Sequence, residues 1–390
     1  MGGWIAHRHM NIIILDDYQD AVRKLPCAAK LDGLSAKVFT NTVKGTGQLA
    51  VRLRDAEALV LIRERTHFNK ALLEKLPKLR LISQTGPVGQ HIDLEACTRL
   101  GIAVAEGPGD PVATAELTWA LVMAASRRLP QYIANLKHGA WQQSGLKNAS
   151  MPPNFGIGTV LRGKTLGIWG YGRIGQLVAG YGRAFGMNVR IWGREASRAQ
   201  ALTDGYQIAT TREEFFSQCD VISLHLRLNE ETRSIVSLED LSCMKPTALL
   251  VNTARGPIVD EAALIKALQK QHIAGAALDV FEDEPTDPAR WAGVPNTVLT
   301  PHTGGATTEA VQGMLGLLMA NLDAHFAGKP VVSPVPELRD MIAVGLIEGR
   351  LRSDKFDPSQ IVPVREDDAF DTELKGFTKE FSGGKTRAGA

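Results

Sequence analysis

Short apolar runs alternate with helix-period stretches along most of this chain, and that alternation is the first clue to its architecture. In the first hundred residues, 12–15, 37–39, 58–62, 79–83 and 102–105 read as buried strands. Between them, 70–76 and 94–100 carry apolar residues at helical spacing. A second series follows at 166–169, 189–192, 220–226, 248–252, 275–280 and 297–300, with a helical pattern notably at 261–269. Strands separated by helices predict parallel α/β sheets, and the six strands of the second series suit a full doubly wound sheet.

The joints between these blocks are also readable. Composition turns to Gly, Pro and Asp between Gly107 and Pro111, a natural crossing point. Thr114 is the expected cap of a helix carrying Leu117, Leu121 and Ala124, and Pro130 breaks the pattern before a second helix ends near Gly139. Residues 140–163 are loop-rich. A long helix is expected over 307–326, ending at Gly328-Lys329-Pro330 and packing back onto the first block. Residues 1–9 read as a loose leader and 335–390 as a poorly ordered, Pro-punctuated tail with an amphipathic stretch over 337–351.

The most informative stretch is 164–198. An apolar strand runs straight into Gly170-Tyr171-Gly172-Arg173-Ile174-Gly175, then a helical pattern with Leu177, Val178 and Phe185, then a second strand. A strand, a G-x-G-x-x-G turn and a helix form the setting of a dinucleotide fingerprint. Gly170 permits the tight turn, Gly172 admits a pyrophosphate, and Gly175 lets helix and strand pack. Amide N–H groups at the helix start, with the helix dipole behind them, hold the phosphates.

Composition narrows the rest. Lys+Arg number 44 against 42 Asp+Glu, so no basic footprint for nucleic acid or an anionic membrane exists. Cys27, Cys97, Cys219 and Cys243 form no C-x-x-C pair and read as buried thiols, with no disulfide frame or zinc site. His7 and His9 do not close a metal site by themselves. No apolar run reaches membrane-span length, no signal pattern opens the chain, and Ala6 does not fit a myristoylation motif. A cytoplasmic location is the default expectation.

Three segments place chemistry-bearing residues at strand ends: Asn252-Thr253-Ala254-Arg255-Gly256, Asp279-Val280-Phe281-Glu282-Asp283-Glu284-Pro285 and Thr300-Pro301-His302-Thr303-Gly304-Gly305. With the glycine turn, this set resembles the D-isomer-specific 2-hydroxyacid dehydrogenases, the family of phosphoglycerate dehydrogenase and glyoxylate/hydroxypyruvate reductase. The resemblance is specific over 160–306, looser over 10–160 and absent beyond 335. It implies an α/β fold in which a Rossmann-type doubly wound nucleotide domain (113–301) is inserted into a flavodoxin-like substrate domain (10–112 and 302–334). It also implies a homodimer and an active site in the cleft.

On that resemblance the catalytic residues are Arg255, Glu284 and His302. Reducing a 2-keto acid needs hydride at the carbonyl carbon and a proton at the oxygen. An imidazole can supply that proton, a neighbouring carboxylate favours the imidazolium and fixes the ring, and a guanidinium offers a planar fork for the substrate carboxylate. The cofactor contacts implied are Gly170, Gly172, Arg173, Ile174, Gly175, Gly193, Arg194, Leu226, Thr253, Ala254, Asp279 and Gly305, with a structural role left open for Asp279. Those for the substrate are Thr85, Gly86, Val88 and Arg255. No metal is implied.

Two departures from the family pattern shape the expectation. NAD-specific members place an acidic residue after the second strand, where this chain has Gly193 and Arg194, with Ser197 and Arg198 close behind. That removes repulsion of a 2′-phosphate and adds a partner for it, so the cofactor is NAD(P), leaning to NADP(H); NAD held by backbone contacts, or a ribose contact from Glu195, stays open. The family's G-x-G-V-D substrate loop is replaced by Gly86-Pro87-Val88-Gly89-Gln90, and Pro87 removes an N–H donor. Glu284, where formate-type relatives carry glutamine, and the absence of a βαββαβ pattern after 335 favour a short hydroxypyruvate, glyoxylate or 3-phosphoglycerate enzyme. The alternative is a nucleotide-sensing scaffold similar to the carboxy-terminal-binding corepressors.

Overall fold

Several four-residue strands, Ala58–Leu61, Leu81–Gln84, Val221–Leu224, Leu249–Asn252 and Gly275–Leu278, are buried along their whole length, the mark of a parallel sheet covered on both faces. Two such sheets are present in the computed structural model, which describes residues 10–32, 34–86, 88–107, 109–139, 141, 157–326 and 331. The expected leader, the tail with its amphipathic stretch, Gly328-Lys329-Pro330 and most of the 140–163 loop lie outside these residues.

The first sheet comprises Asn11–Leu15 (β1), Ser35–Val38 (β2), Ala58–Leu61 (β3), Leu81–Gln84 (β4) and Ala103–Ala105 (β5), in the order β2-β1-β3-β4-β5. That is the flavodoxin-like winding. The second comprises Thr165–Trp169 (β6), Asn188–Trp192 (β7), Gln207–Ile208 (β8), Val221–Leu224 (β9), Leu249–Asn252 (β10), Gly275–Leu278 (β11) and Thr297–Leu299 (β12). Its order is β12-β11-β10-β9-β6-β7-β8, the doubly wound arrangement with its reversal between β6 and β9. Every pairing in both sheets is parallel.

The second sheet has seven strands where six were expected. β8 is two residues long and only half-buried, too short to give an apolar run. β4 also starts later than 79, because the Leu79 amide bonds back to Leu76 and the ladder begins where Leu81 meets Ala58. The helix Pro111–Ser126 begins ahead of Thr114: Asp110 accepts from the Val112 amide, and Pro111 fits the first turn, where an N–H has no partner to lose. Thr114 therefore lies inside the helix. The long C-terminal helix, Thr308–Phe326, packs Leu315, Leu318 and Leu322 against Met10, Ile12, Ile14 and Leu81 of the first sheet. The chain thus returns to the sheet it started from. Two apolar layers cover the second sheet, one built on Phe215, Phe216, Leu250 and Ile258, the other on Val178, Ile168, Val189 and Leu121.

Candidate active site

Carboxyl ends of parallel strands are where such folds build sites, most of all where the winding reverses. The glycine turn sits there, between β6 and the helix Arg173–Ala184. Gly170 has φ 100°, and a Cβ on it would stand 2.6 Å from the His225 carbonyl oxygen. A Cβ on Gly175 would stand 2.1 Å from the Gly170 oxygen, so no side chain fits at either place. Around Gly172, the helix N-cap, the space is open within 4 Å. A closed turn with an open cradle at a helix N-terminus fits a pyrophosphate. Leu226 and Gly193 both border the turn: a Cβ on Gly170 would lie 3.3 Å from Leu226 Cδ2, and one on Gly193 would lie 3.9 Å from the Gly170 nitrogen.

At the neighbouring strand ends the three residues expected to be catalytic come together. His302 and Glu284 are bonded, Nδ1 to Oε2, at 2.5 Å. A carboxylate only accepts, so Nδ1 carries the proton and Nε2 is left for the cleft. Burial opposes ionisation of Glu284, but the bond and charge of His302, the Phe281 amide and Arg255 outweigh it and hold the carboxyl below its usual range. Arg255 is oriented by its own turn: Asn252 Oδ1 accepts from the Ala254 amide at 3.1 Å, and Asn252 Nδ2 donates to the Arg255 carbonyl at 2.9 Å. Thr253 and Thr118 hydroxyls bond at 2.7 Å behind it. Arg255, Glu284 and His302 all line one cavity of about 850 Å³, with Phe281 and Trp291 on one wall and Tyr18, Lys44 and His67 on another.

The loop carrying His302 is anchored from two sides. Asp279, 1% exposed, accepts from the Thr300 hydroxyl (2.7 Å), the Thr303 amide (2.7 Å) and the Gly304 amide (2.8 Å). Both of its oxygens are engaged, which is an anchoring role. Thr114 Oγ1 donates to the Gly304 carbonyl at 3.2 Å. From the first sheet, Arg63 Nη1 donates to the His302 carbonyl. Arg63 and His302 both have positive φ, 63° and 52°, a conformation side chains adopt only where the surroundings impose it. Burial pulls the Arg63 guanidinium down to about 10, against the opposing charges of Asp279 and Glu284.

Residues 119–304 match the model of the D-isomer specific 2-hydroxyacid dehydrogenase NAD binding domain. Over 284 residues the chain is 41% identical to a glyoxylate reductase of Aeropyrum pernix, spanning 72% of this chain and 83% of that one. It is 36% identical over 303 residues to a D-3-phosphoglycerate dehydrogenase of Methanocaldococcus jannaschii, covering 77% of this chain and 54% of the longer relative. Among solved structures, a phosphoglycerate oxidoreductase from Vibrio cholerae superposes with a TM-score of 0.76 at 47% identity, over 82% of this chain and 99% of that one. The chain belongs to the D-isomer-specific 2-hydroxyacid dehydrogenase family. It is an oxidoreductase with a nicotinamide-binding domain.

Against the family's pattern, the substrate loop differs in what it offers. The Val88 amide, expected to face substrate, donates instead to Glu106 Oε2 at 2.8 Å, and its carbonyl accepts from Arg227 at 2.6 Å. Val88 is buried as a result, and the carboxylate of Glu106 captures the donor that the missing glycine would have aimed at the cleft. Thr85 Oγ1 accepts from the Arg63 amide at 3.1 Å, so Thr85 supports the loop after β3.

That loop is what sequence reasoning missed in this dehydrogenase. Arg63 grips the His302 carbonyl, Glu64 pairs with Arg255 at 2.8 Å, Arg65 lies over the Tyr18 ring, and Thr66 donates to Asp16 at 2.6 Å. Four polar residues follow β3, which is buried throughout, at the carboxyl edge of a parallel sheet. Their position at that edge was the available signal. Among the described residues no cluster of His, Cys, Asp or Glu is suited to a metal, and no helix is long and apolar enough to cross a membrane.

Proposed function

We propose that this dehydrogenase interconverts a small 2-keto acid and its D-2-hydroxy acid, of the hydroxypyruvate, glyoxylate or 3-phosphoglycerate type. The observation that carries this reading is the His302–Glu284 pair beside Arg255 on one cavity. Gly170, Gly172, Arg173, Ile174 and Gly175 would hold the cofactor's pyrophosphate, Leu226 its adenosine side, and Thr253, Ala254 and Gly305 the nicotinamide side. The bound nicotinamide supplies the hydride. His302 gives a proton from Nε2 to the carbonyl oxygen while Glu284 keeps the ring oriented. Arg255, with Gly86, binds the acid's carboxylate and lowers the cost of negative charge on the oxygen. Asp279 serves this reading by holding Thr303 and Gly304, and so the His302 loop.

NADP(H) is the favoured cofactor on the same reading. Arg194 is exposed and has no ion-pair partner among the described residues, whereas Arg198 lies over the Trp192 ring at 5.5 Å. An exposed guanidinium, Arg194, stands directly after Gly193 and ahead of Glu195, which suits a 2′-phosphate. The substrate domain is taken as 10–112 with the segment returning from His302, consistent with the packing of Thr308–Phe326 on the first sheet. A homodimer is supported by Leu129, Ile133 and Leu136, exposed at one-face spacing on the helix Leu129–Lys137 and accompanied by exposed Trp141, Ile157 and Val160. Sedimentation at micromolar concentration reads that state, and a monomer there ends it.

The deciding experiment follows absorbance at 340 nm with NADPH and, separately, NADH over glyoxylate, hydroxypyruvate and phenylpyruvate. Turnover of one or more acids is expected. Nucleotide binding with no turnover would favour a scaffold of the corepressor type, a reading the named relatives do not support.

A further inference from the structure

The arginine assigned to the substrate carboxylate is already holding a carboxylate. Arg255 Nη2 donates to Glu64 Oε1 at 2.8 Å, and its Nη1 donates to the Ala254 carbonyl at 2.7 Å. Both ends of the fork that would grip a substrate are therefore engaged. Glu64 also stands against the substrate loop: a Cβ added to Gly89 would lie 3.1 Å from its carboxyl carbon and from Oε2. The Glu64 carboxylate thus stands between a guanidinium and Gly89, where an incoming acid would have to sit. Burial opposes its charge, but Arg255, with His91 and His302, outweighs burial and keeps Glu64 ionised below its usual range. Neither partner is sealed in, since the side chains are 29% and 35% exposed, and both line the 850 Å³ cavity into which Glu64 can swing.

We infer that Glu64 is an internal competitor for the substrate's carboxylate, occupying Arg255 in the empty enzyme and displaced when a 2-keto acid binds. This rests on the reading of Arg255 given above. Its consequence is a threshold: binding of every acid is weakened by the same cost of breaking the Glu64–Arg255 pair, so only acids with further contacts occupy the site at low concentration. A ligand whose second group, the keto oxygen, also engages His302 recovers more than a plain carboxylate does. Glu64 acts through Arg255, and it shapes which acids occupy the site, not how the proton moves.

The test is Glu64→Gln in the full-length protein, with oxamate, an unreactive 2-keto acid analogue, as the probe. Oxamate affinity for the NADPH-loaded protein is measured calorimetrically for both forms, and KM and kcat are measured on whichever acid is turned over. A partly exposed pair of this kind predicts oxamate binding and KM tighter by roughly three- to tenfold in the variant, with kcat carrying the smaller share of the change. Weaker oxamate binding in Glu64→Gln would mean that Glu64 positions Arg255, and equal binding that the substrate uses another edge of the guanidinium; either overturns the proposal. Unaltered NADPH affinity checks that the variant is folded. Because oxamate binding is read without turnover, a chain that reduces no keto acid sinks the proposed function alone, while the oxamate comparison still decides the role of Glu64.

Discussion

The two sheets present their carboxyl edges to the same cleft, yet they are built on opposite principles. The edge of the second sheet is a backbone device at the glycine turn: Gly170 and Gly175 leave no room for side chains, and the helix behind Gly172 offers amides. The edge of the first sheet is a side-chain device, in which Arg63 reaches His302, Glu64 reaches Arg255, and Arg65 and Thr66 both reach Asp16. A backbone site tolerates little change in shape but is indifferent to charge nearby. A side-chain site is tuned by charge, and one substitution re-weights every pairing around it. The two edges meet where the Glu64 carboxylate of the first reaches the Arg255 guanidinium of the second.

The contrast can be broken most forcefully at the residue that both edges serve. His302→Ala removes the proton donor and should lower kcat by about 10²–10⁴-fold, read at 340 nm, with NADPH affinity retained. A loss below tenfold would mean that another group delivers the proton. Gly175→Ala tests the backbone edge: a Cβ 2.1 Å from an oxygen forces the turn apart, and nucleotide affinity by fluorescence titration should fall by roughly 10–100-fold. Arg194→Ala tests the charged contact assigned to the 2′-phosphate at that edge. The NADPH-over-NADH preference in kcat/KM should drop by about tenfold or more, and an unaltered ratio removes the 2′-phosphate argument.

The smallest effect is shared by both sheets. His91, close to the first edge, and His225, beside the glycine turn, are pushed down to about 4 by burial. Below the ordinary value of 6.5 the unfolded chain takes up a proton that the folded imidazole refuses, so stability is lost as pH falls from about 6.5 towards 4. His91→Gln should flatten that loss by up to about 1.4 kcal/mol per pH unit in urea unfolding, and an unchanged slope would show that His91 is charged when folded.

What could be read from the chain follows the same division. The glycine turn and the candidate residues at 255, 284 and 302 could be named because each follows a strand of the second series and together they match the family's pattern. The order of both sheets follows from alternation and the rules of parallel winding. The loop after β3 escaped because Arg63, Glu64 and Arg65 look like a solvated charge run, and only tertiary placement turns their side chains inward. Val88 could be located but not oriented, since its amide depends on Glu106, eighteen residues away. Asp279 was placed at the right strand end, while its three closest donors lie more than twenty residues downstream and give no local signal.

The grip of Arg63 on the His302 carbonyl has a mechanical meaning. The loop after β3 of one sheet holds the backbone of the imidazole carried by the other, so parting the two halves of the molecule far enough to break that bond also loosens the imidazole. On the role proposed for His302, protonation is thereby tied to the closed posture, and a gaping enzyme is an idle one.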